Sequence, residues 1–355
     1  MSITALTSEP FGTFQGQMMT LYTLRNSHGV EVKITNYGAT ITSIIIPDEH
    51  GELSNVVCGF DSMDGYLSAA YQSNAPYFGC TVGRYASRIK DGRFTLNDEI
   101  YHLEMNDGSN HLHGGKIGFD KRVWRVQTSG NSITQPLTMN LISDHMDEGY
   151  PGQAKIKVSF ALNDQNELSI SYFAEVDRAT PLSLTNHSYF NLSGFENTIH
   201  QHELLIASTK VLEPDETNVP VGPIRSVTGT AEDLSQGRLL SSSLQSLNTG
   251  FEHYYLFDHP IGELSKVATI KDTEGDLKLG ILTTEPGALL YTGYFTSDEL
   301  RRESGDQFGR YRGICFETSR YPNGPNIAGS PMSISSPDRP YQSKTVYQFS
   351  MRPSL

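Results

Sequence analysis

The sequence predicts an all-β protein, a large antiparallel β-sandwich with a few short helices. Three observations predict it. Apolar and polar residues alternate over successive short runs, the period of a strand with one buried face. Those runs end at turn-forming residues, and the 355 residues include 32 Gly and 17 Pro, as many tight connections require. Segments with helical periodicity are few and short. No repeat, low-complexity tract or linker interrupts the chain, so residues 1–355 read as one domain.

From the N-terminus, "EVKITNYGATITSIIIPD" places Val32, Ile34, Ile41 and Ile44 in strand context before a Pro-Asp stop. "GRFTLNDEIYHLE" reads as a small hairpin turning at Asn97-Asp98. "AKIKVSFALNDQNELSISYFAEV" is a larger one: Ile156, Val158 and Phe160 alternate, Asn163 to Asn166 turn, and Leu168, Ile170 and Tyr172 alternate back. "LTNHSYFNLSG", residues 184–194, also reads as a strand. Its alternation puts His187 and Tyr189 on one face with Thr185 and Asn191, and Leu184, Asn186, Ser188 and Phe190 on the other. Polar groups on both faces are expected of a strand lining a wet pocket. The best helical segments are "TAEDLSQGRLLSSSLQSL" and "SDELRRES". "ATIKDTEGDLKLGILTT" is a hairpin around Glu274-Gly275, and "KTVYQFSM" supplies a late strand. Stretches without a clear period at 104–120 and 205–255 read as long loops of the kind that carry function.

Composition narrows the partners. The net charge is -13, with a pI near 5.3. Such a chain repels phosphate backbones, so nucleic acid is not an expected partner. The N-terminus lacks the basic and apolar regions of a signal peptide, and no apolar run approaches the ~20 residues that span a bilayer. Cys58, Cys80 and Cys315 form a sparse, odd set without CxxC spacing. They read as reduced thiols in a cytoplasmic protein.

Four polar clusters could carry chemistry. "GRYASRIKDG" offers Arg84 and Arg88, "NHLHGG" offers His111 and His113, "TNHSYFNLSG" offers His187, and "GICFETSRYPNGPN" offers Glu317. An HxH pair in a strand aims both imidazoles one way, so His111 and His113 could bind a metal with His187 or Glu317 as third ligand. A strand histidine is more often a structural, hydrogen-bonded residue, and no further ligand has tight sequence spacing, so no metal is expected. Glu317 lies among Ile314, Cys315, Phe316 and Thr318, where burial would shift its pKa as a catalytic carboxylate requires. The plain alternative is an ion pair with Arg320 or Arg312.

Together these segments resemble a family. "NYGATITSIIIPD", "GRYASRI", "NHLHGG", "GFDKRVW", "TNHSYFNLSG", "TTEPGALLYTG" and "GICFETSRYPNGPN" follow the order seen in the aldose 1-epimerases, or galactose mutarotases. The resemblance runs from about residue 10 to the C-terminus. It implies a large sandwich with a sugar-binding cleft over one sheet. It further implies that Glu317 is the general base and His187 the general acid. His113 would be a second imidazole near the ring oxygen, and Arg88 a substrate contact, with Ser188 and Tyr189 on the substrate side of His187 and Arg84 supporting the loop. Three positions depart from the family's pattern. Ser87 stands where Asn is usual, Glu252 where Asp is usual, and Glu285 where Gln is frequent. By the resemblance these three hold sugar hydroxyls, so they bear on which sugar is bound.

The implied reaction interconverts α and β anomers. A base takes the C1 hydroxyl proton, an acid protonates the ring oxygen, the C1–O5 bond opens, and reclosure after rotation about C1–C2 gives the other anomer. A protonated His187 and an ionised Glu317 near neutral pH would suit that chemistry. No cofactor is required, in keeping with the absence of Walker, Rossmann and G-x-S-x-G patterns. Tyr189, Tyr254, Phe295 and Trp124 are candidates for an aromatic against the sugar face. The expected partner is a small free sugar such as galactose or glucose, with no membrane and with the chain as monomer or homodimer. The alternatives are a mutarotase of a pentose or reducing disaccharide, a non-catalytic sugar binder on the same fold, and a metal-dependent hydrolase built on His111, His113 and Glu317.

Overall fold

Alternation becomes sheet throughout the computed structural model, which describes residues 5–48, 50–127 and 136–351. Among these residues one antiparallel sheet has nine strands, ordered Arg125–Val126, Leu137–Ser143, Ala154–Leu162, Glu167–Val176, Tyr341–Met351, Leu277–Thr283, Ser265–Asp272, His202–Ile206 and Arg238–Leu239. A second sheet has six strands, ordered Tyr189–Phe190, Ile314–Ser319, Gly287–Tyr291, Glu252–Leu256, Lys210–Pro214 and Pro220–Ser226. A third, N-terminal sheet of five strands runs in chain order from Ala5–Phe14 to Leu53–Asn55. It joins the six-stranded sheet edge to edge: Val57 bridges Phe190, and the Cys58 N–H donates to the Tyr189 carbonyl at 3.0 Å.

The hairpins expected from the sequence form with the expected turns. Ile156 faces Ala174 across one, Leu96 and Glu99 close another, and Lys271 pairs with Lys278 in the third. One core fills the space between the layers. Val32, Ile34, Ile41 and Ile44 enter it from the N-terminal sheet, Val158, Phe160 and Ile170 from the nine-stranded sheet, and Leu290, Ile314 and Phe316 from the six-stranded sheet. All ten are less than 1% exposed or close to it.

Helices are short and are not where periodicity put them. Only Leu240–Leu244 falls within the first predicted segment, and "SDELRRES" forms turns instead. Met63–Leu67 and Ala69–Asn74 were missed because each is about one turn long, too short for a period to show. Their signals are local caps: the Ser62 hydroxyl accepts from the Asp64 N–H, and the Ser68 hydroxyl from the Tyr71 N–H. The stretch 205–255 is loop for about half its length but also holds the strands Lys210–Pro214, Pro220–Ser226 and Arg238–Leu239, which escaped notice because edge strands alternate only weakly.

Candidate active site

The site is built on the outer face of the six-stranded sheet. In Ile314–Ser319, Ile314 and Phe316 point into the core, so period-2 alternation sends Cys315 and Glu317 to the opposite face. Across the next strand Tyr291 stands opposite Cys315 and Leu289 opposite Glu317; one strand further, Glu252 stands opposite Tyr291. Glu317 and Glu252 therefore share a face two strands apart, roughly 10 Å across the strands at the usual spacing, and are offset by two residues along them. On the other side Tyr189 pairs with Cys315.

Residues 184–194 are not one strand. Thr185–Asn186 pairs with Thr81–Val82, and Tyr189–Phe190 pairs with Ile314–Cys315, so the chain changes sheets at His187–Ser188. His187 and Tyr189 still share a side, their rings stacked at 5.2 Å. Ser188 does not reach the cavity. Its N–H and hydroxyl both bond the Asn186 side-chain oxygen, at 3.2 and 2.7 Å, which turns it inward.

Two further segments close the site. Arg88 and Ile89 pair with His111 and Leu112, and His113 follows with φ +52°, which ends the alternation. His111 therefore points away from His113, with Nδ1 on the Glu104 carbonyl at 2.7 Å and Nε2 on the Tyr150 hydroxyl at 2.8 Å. Arg84 is buried and donates to carbonyls of Pro151, Gly152, Ser143 and Asp144. It ties the loop down, as expected.

The result is a cavity of about 400 Å³ lined by His187, Glu317, His113, Arg88, Ser87, Tyr189 and Glu252. His187 Nε2 lies 3.4 Å from Glu317 Oε1, and both side chains are almost wholly buried. The His187 ring is held on several sides, with Tyr77 stacked at 5.7 Å, His113 edge-on at 5.2 Å and the Cys315 sulfur 3.5 Å from Nδ1. Glu317 Oε2 is buried without a hydrogen-bond partner among the described residues. Such an oxygen is costly unless a ligand serves it. Neither expected arginine pairs with Glu317: Arg320 pairs with Glu285, and Arg312 donates to the Phe195 carbonyl.

Burial dominates the electrostatics. It raises the Glu317 pKa to about 8, with Glu252 adding to the rise and Arg88 opposing it. Burial lowers His187 to about 4. His113 is pushed well below the usual imidazole value by burial and by the nearby His187 and Arg88. The expected pairing of a protonated His187 with an ionised Glu317 is thus not the resting state, since burial favours the neutral form of each. The proton count is unchanged, because one proton resides on Glu317 instead of on His187.

Glu285 does not reach the cavity either. It is buried beneath the sheet, 3.2 Å from the Arg320 guanidinium, and burial raises its pKa to about 7. Of the candidate aromatics, Tyr189 and Phe295 line the cavity. Tyr254 bonds the Ser319 carbonyl and Trp124 the Phe119 carbonyl, both in the interior. Sequence reasoning missed Tyr77, Asp107, Asn218, Leu289 and Tyr291, which also line it. Asp107 and Asn218 fall in the two stretches flagged as long and functional. Leu289 and Tyr291 become visible only once the register opposite Glu317 is known.

His113, His187 and Glu317 bring three potential metal-ligand atoms within 4.8 Å of one another. The donor set suits a metal poorly. The Ser87 N–H donates to His113 Nδ1 at 3.2 Å. The neutral ring therefore carries its proton on Nε2, where a metal would have to displace it, and metal-bound histidines instead donate through the far nitrogen.

The chain matches the family described as Aldose 1-epimerase over residues 20–348. A galactose mutarotase of Rattus norvegicus is 38% identical over 327 residues, covering 92% of both chains. An aldose 1-epimerase of Escherichia coli K12 is 33% identical over 342 residues, 94% of this chain and 96% of the relative. Among solved structures, an aldose epimerase homologue from C. elegans superposes with a TM-score of 0.83 at 28% identity, covering 93% of this chain and 98% of the other. A galactose 1-epimerase from Lactobacillus acidophilus gives 0.83 at 26% identity, covering 98% and 99%.

Proposed function

This chain belongs to the aldose 1-epimerase family, and from that premise we propose that it interconverts the α and β anomers of free galactose or glucose, with Glu317 and His187 carrying the two protons. The observation that supports this assignment is the approach of His187 Nε2 to Glu317 Oε1 at 3.4 Å on the floor of one cavity. O1 and O5 of a cyclic aldose are bonded to the same carbon. A sugar whose C1 sits over this pair meets a carboxylate with one oxygen and an imidazole with the other.

As the sugar binds, the single proton of the pair passes from Glu317 to His187, whose Nε2 lies 3.4 Å from Glu317 Oε1. Glu317 then takes the C1 hydroxyl proton and His187 protonates the ring oxygen as the C1–O5 bond breaks. The open-chain aldehyde forms with Glu317 protonated and His187 neutral, the arrangement that burial favours in the empty site. Rotation about C1–C2 presents the other face of the carbonyl. In reclosure the two residues exchange roles. His113, as an Nε2–H donor, polarises an oxygen near C1. Arg88 and Glu252 hold hydroxyls remote from it, and Tyr189 and Ser87 complete the wall. The chain needs no cofactor for these steps and acts in the cytoplasm, as monomer or homodimer. Among the described residues no helix is long and apolar enough to cross a membrane.

Polarimetry of freshly dissolved α-anomers tests the assignment. Galactose or glucose should equilibrate faster with the protein than without it, and failure with every aldose tried would remove the reading. The Glu317→Gln variant should lose about 10²–10⁴-fold in rate, the contribution typical of a general base, while still binding galactose by calorimetry. A variant that keeps its rate would show that Glu317 is not the base.

A further inference from the structure

We propose that Asp107 is a substrate-binding residue, a second carboxylate that accepts a hydrogen bond from a sugar hydroxyl beside the one met by Glu252. The inference rests on the mutarotase reading. Asp107 lines the cavity and its side chain is 36% exposed, so a ligand can reach it. Its Oδ2 accepts from Arg88 Nε at 2.6 Å. Arg88 Nη1 donates to Glu252 Oε1 at 2.5 Å. One guanidinium thus carries two carboxylates. Glu252 alone would balance its charge, and a second anion adds like-charge repulsion in a partly buried place. Something other than charge balance accounts for Asp107.

The free atoms indicate what. Asp107 Oδ1 takes no protein donor, and Arg88 Nη2 meets no protein acceptor, among the described residues. Glu252 Oε2 receives only a 3.3 Å contact from Asn218. These atoms present acceptor, donor and acceptor in sequence, a pattern that adjacent hydroxyls of a sugar can satisfy. The loop carrying Asp107 is also rigid. Asp107 and Asn110 exchange backbone hydrogen bonds at 3.1 and 2.9 Å, and the Asn106 side chain bonds both the N–H and carbonyl of Leu112, at 2.7 and 2.9 Å. Leu112 in turn pairs with Arg88. The carboxylate is held in register with the guanidinium, as a recognition group must be.

The test compares wild type with Asp107→Asn on galactose and on its monodeoxy analogues at C2, C3, C4 and C6, by polarimetry. Loss of a charged hydrogen bond should raise KM for galactose about tenfold or more, with kcat within about twofold. One analogue should already be about tenfold poorer for the wild type, and on that analogue the variant should show no further penalty, because the bond is already gone. An equal penalty on every analogue would mean that Asp107 acts only through Arg88 and would overturn the inference. So would no penalty at all, or a wild type that tolerates loss of each hydroxyl equally, a measurement that does not depend on how the variant folds. In all three cases turnover of galactose would leave the mutarotase reading standing. A wild type that accelerates no aldose would remove both.

Discussion

Glu317 and His187 are displaced from their ordinary pKa values in opposite directions chiefly by the loss of water around them, with Glu252 adding to the rise of Glu317. That sets the pH dependence. With Glu317 near 8 and His187 near 4, the pair holds one proton between those limits. Below about pH 4 a second proton arrives and the base is lost. Above about pH 8 the only proton leaves and the acid is lost. The profile of kcat/KM should be a plateau with limbs at those two values, which belong to the pair rather than to either residue alone. A profile centred instead on two unperturbed groups, with limbs near 4.5 and 6.5, would show that the cavity is wetter than its burial implies. The sequence singles out both residues as candidates, a glutamate among apolar residues and a histidine in a doubly polar stretch, and their proposed roles come from the resemblance to the family. The protonation of the pair was not legible, since burial is a property of what packs over the strand.

At the scale of the element, the strand pair Gly287–Tyr291 and Ile314–Ser319 decides which residues face the cavity. Sequence reasoning put Glu285 at a hydroxyl. It lies before the strand, where the chain enters the interior, and there it meets Arg320. The Glu285→Gln variant should therefore leave KM and kcat almost unchanged and destabilise the fold by about 3 kcal/mol, the cost of leaving a buried cation without its partner. Calorimetric melting beside polarimetry checks both halves, and a raised KM with an unchanged Tm would return Glu285 to the site. The hairpins were readable because turn residues and alternation sit within a few positions of each other. The switch of sheets at His187–Ser188 was not, because its cause is the distant partners Thr81–Val82 and Ile314–Cys315. The same holds for Leu289 and Asp107, which are ordinary in sequence and reach the cavity by register and by loop closure.

For the whole molecule the acidic balance extends into the cavity. Among the described residues Arg88 is the one cationic side chain lining the cavity, against the carboxylates Asp107 and Glu252, while the buried Glu317 carboxyl is neutral at rest, within a chain of net charge -13. A sugar bearing a phosphate or a carboxylate should be disfavoured by at least about tenfold in kcat/KM relative to galactose, since like charges in a weakly screened cavity repel by more than 1.4 kcal/mol. Galactose 6-phosphate and galacturonate provide the comparison, and equal rates for all three would contradict it. The sandwich itself was foreseeable from alternation and turn density. The edge-to-edge union of the N-terminal and six-stranded sheets was not, because it rests on a single bridge between Val57 and Phe190 that no local pattern announces.

The single proton shared by Glu317 and His187 has a consequence beyond pH. In the proposed mechanism ring opening moves it from one residue to the other, and reclosure moves it back. The protein ends each cycle with the protons it began with, so no step waits for water or buffer to restore it. The same two groups serve both directions of the reaction. The site therefore sets only how fast the anomers reach equilibrium, and the sugar alone sets the ratio in which they settle.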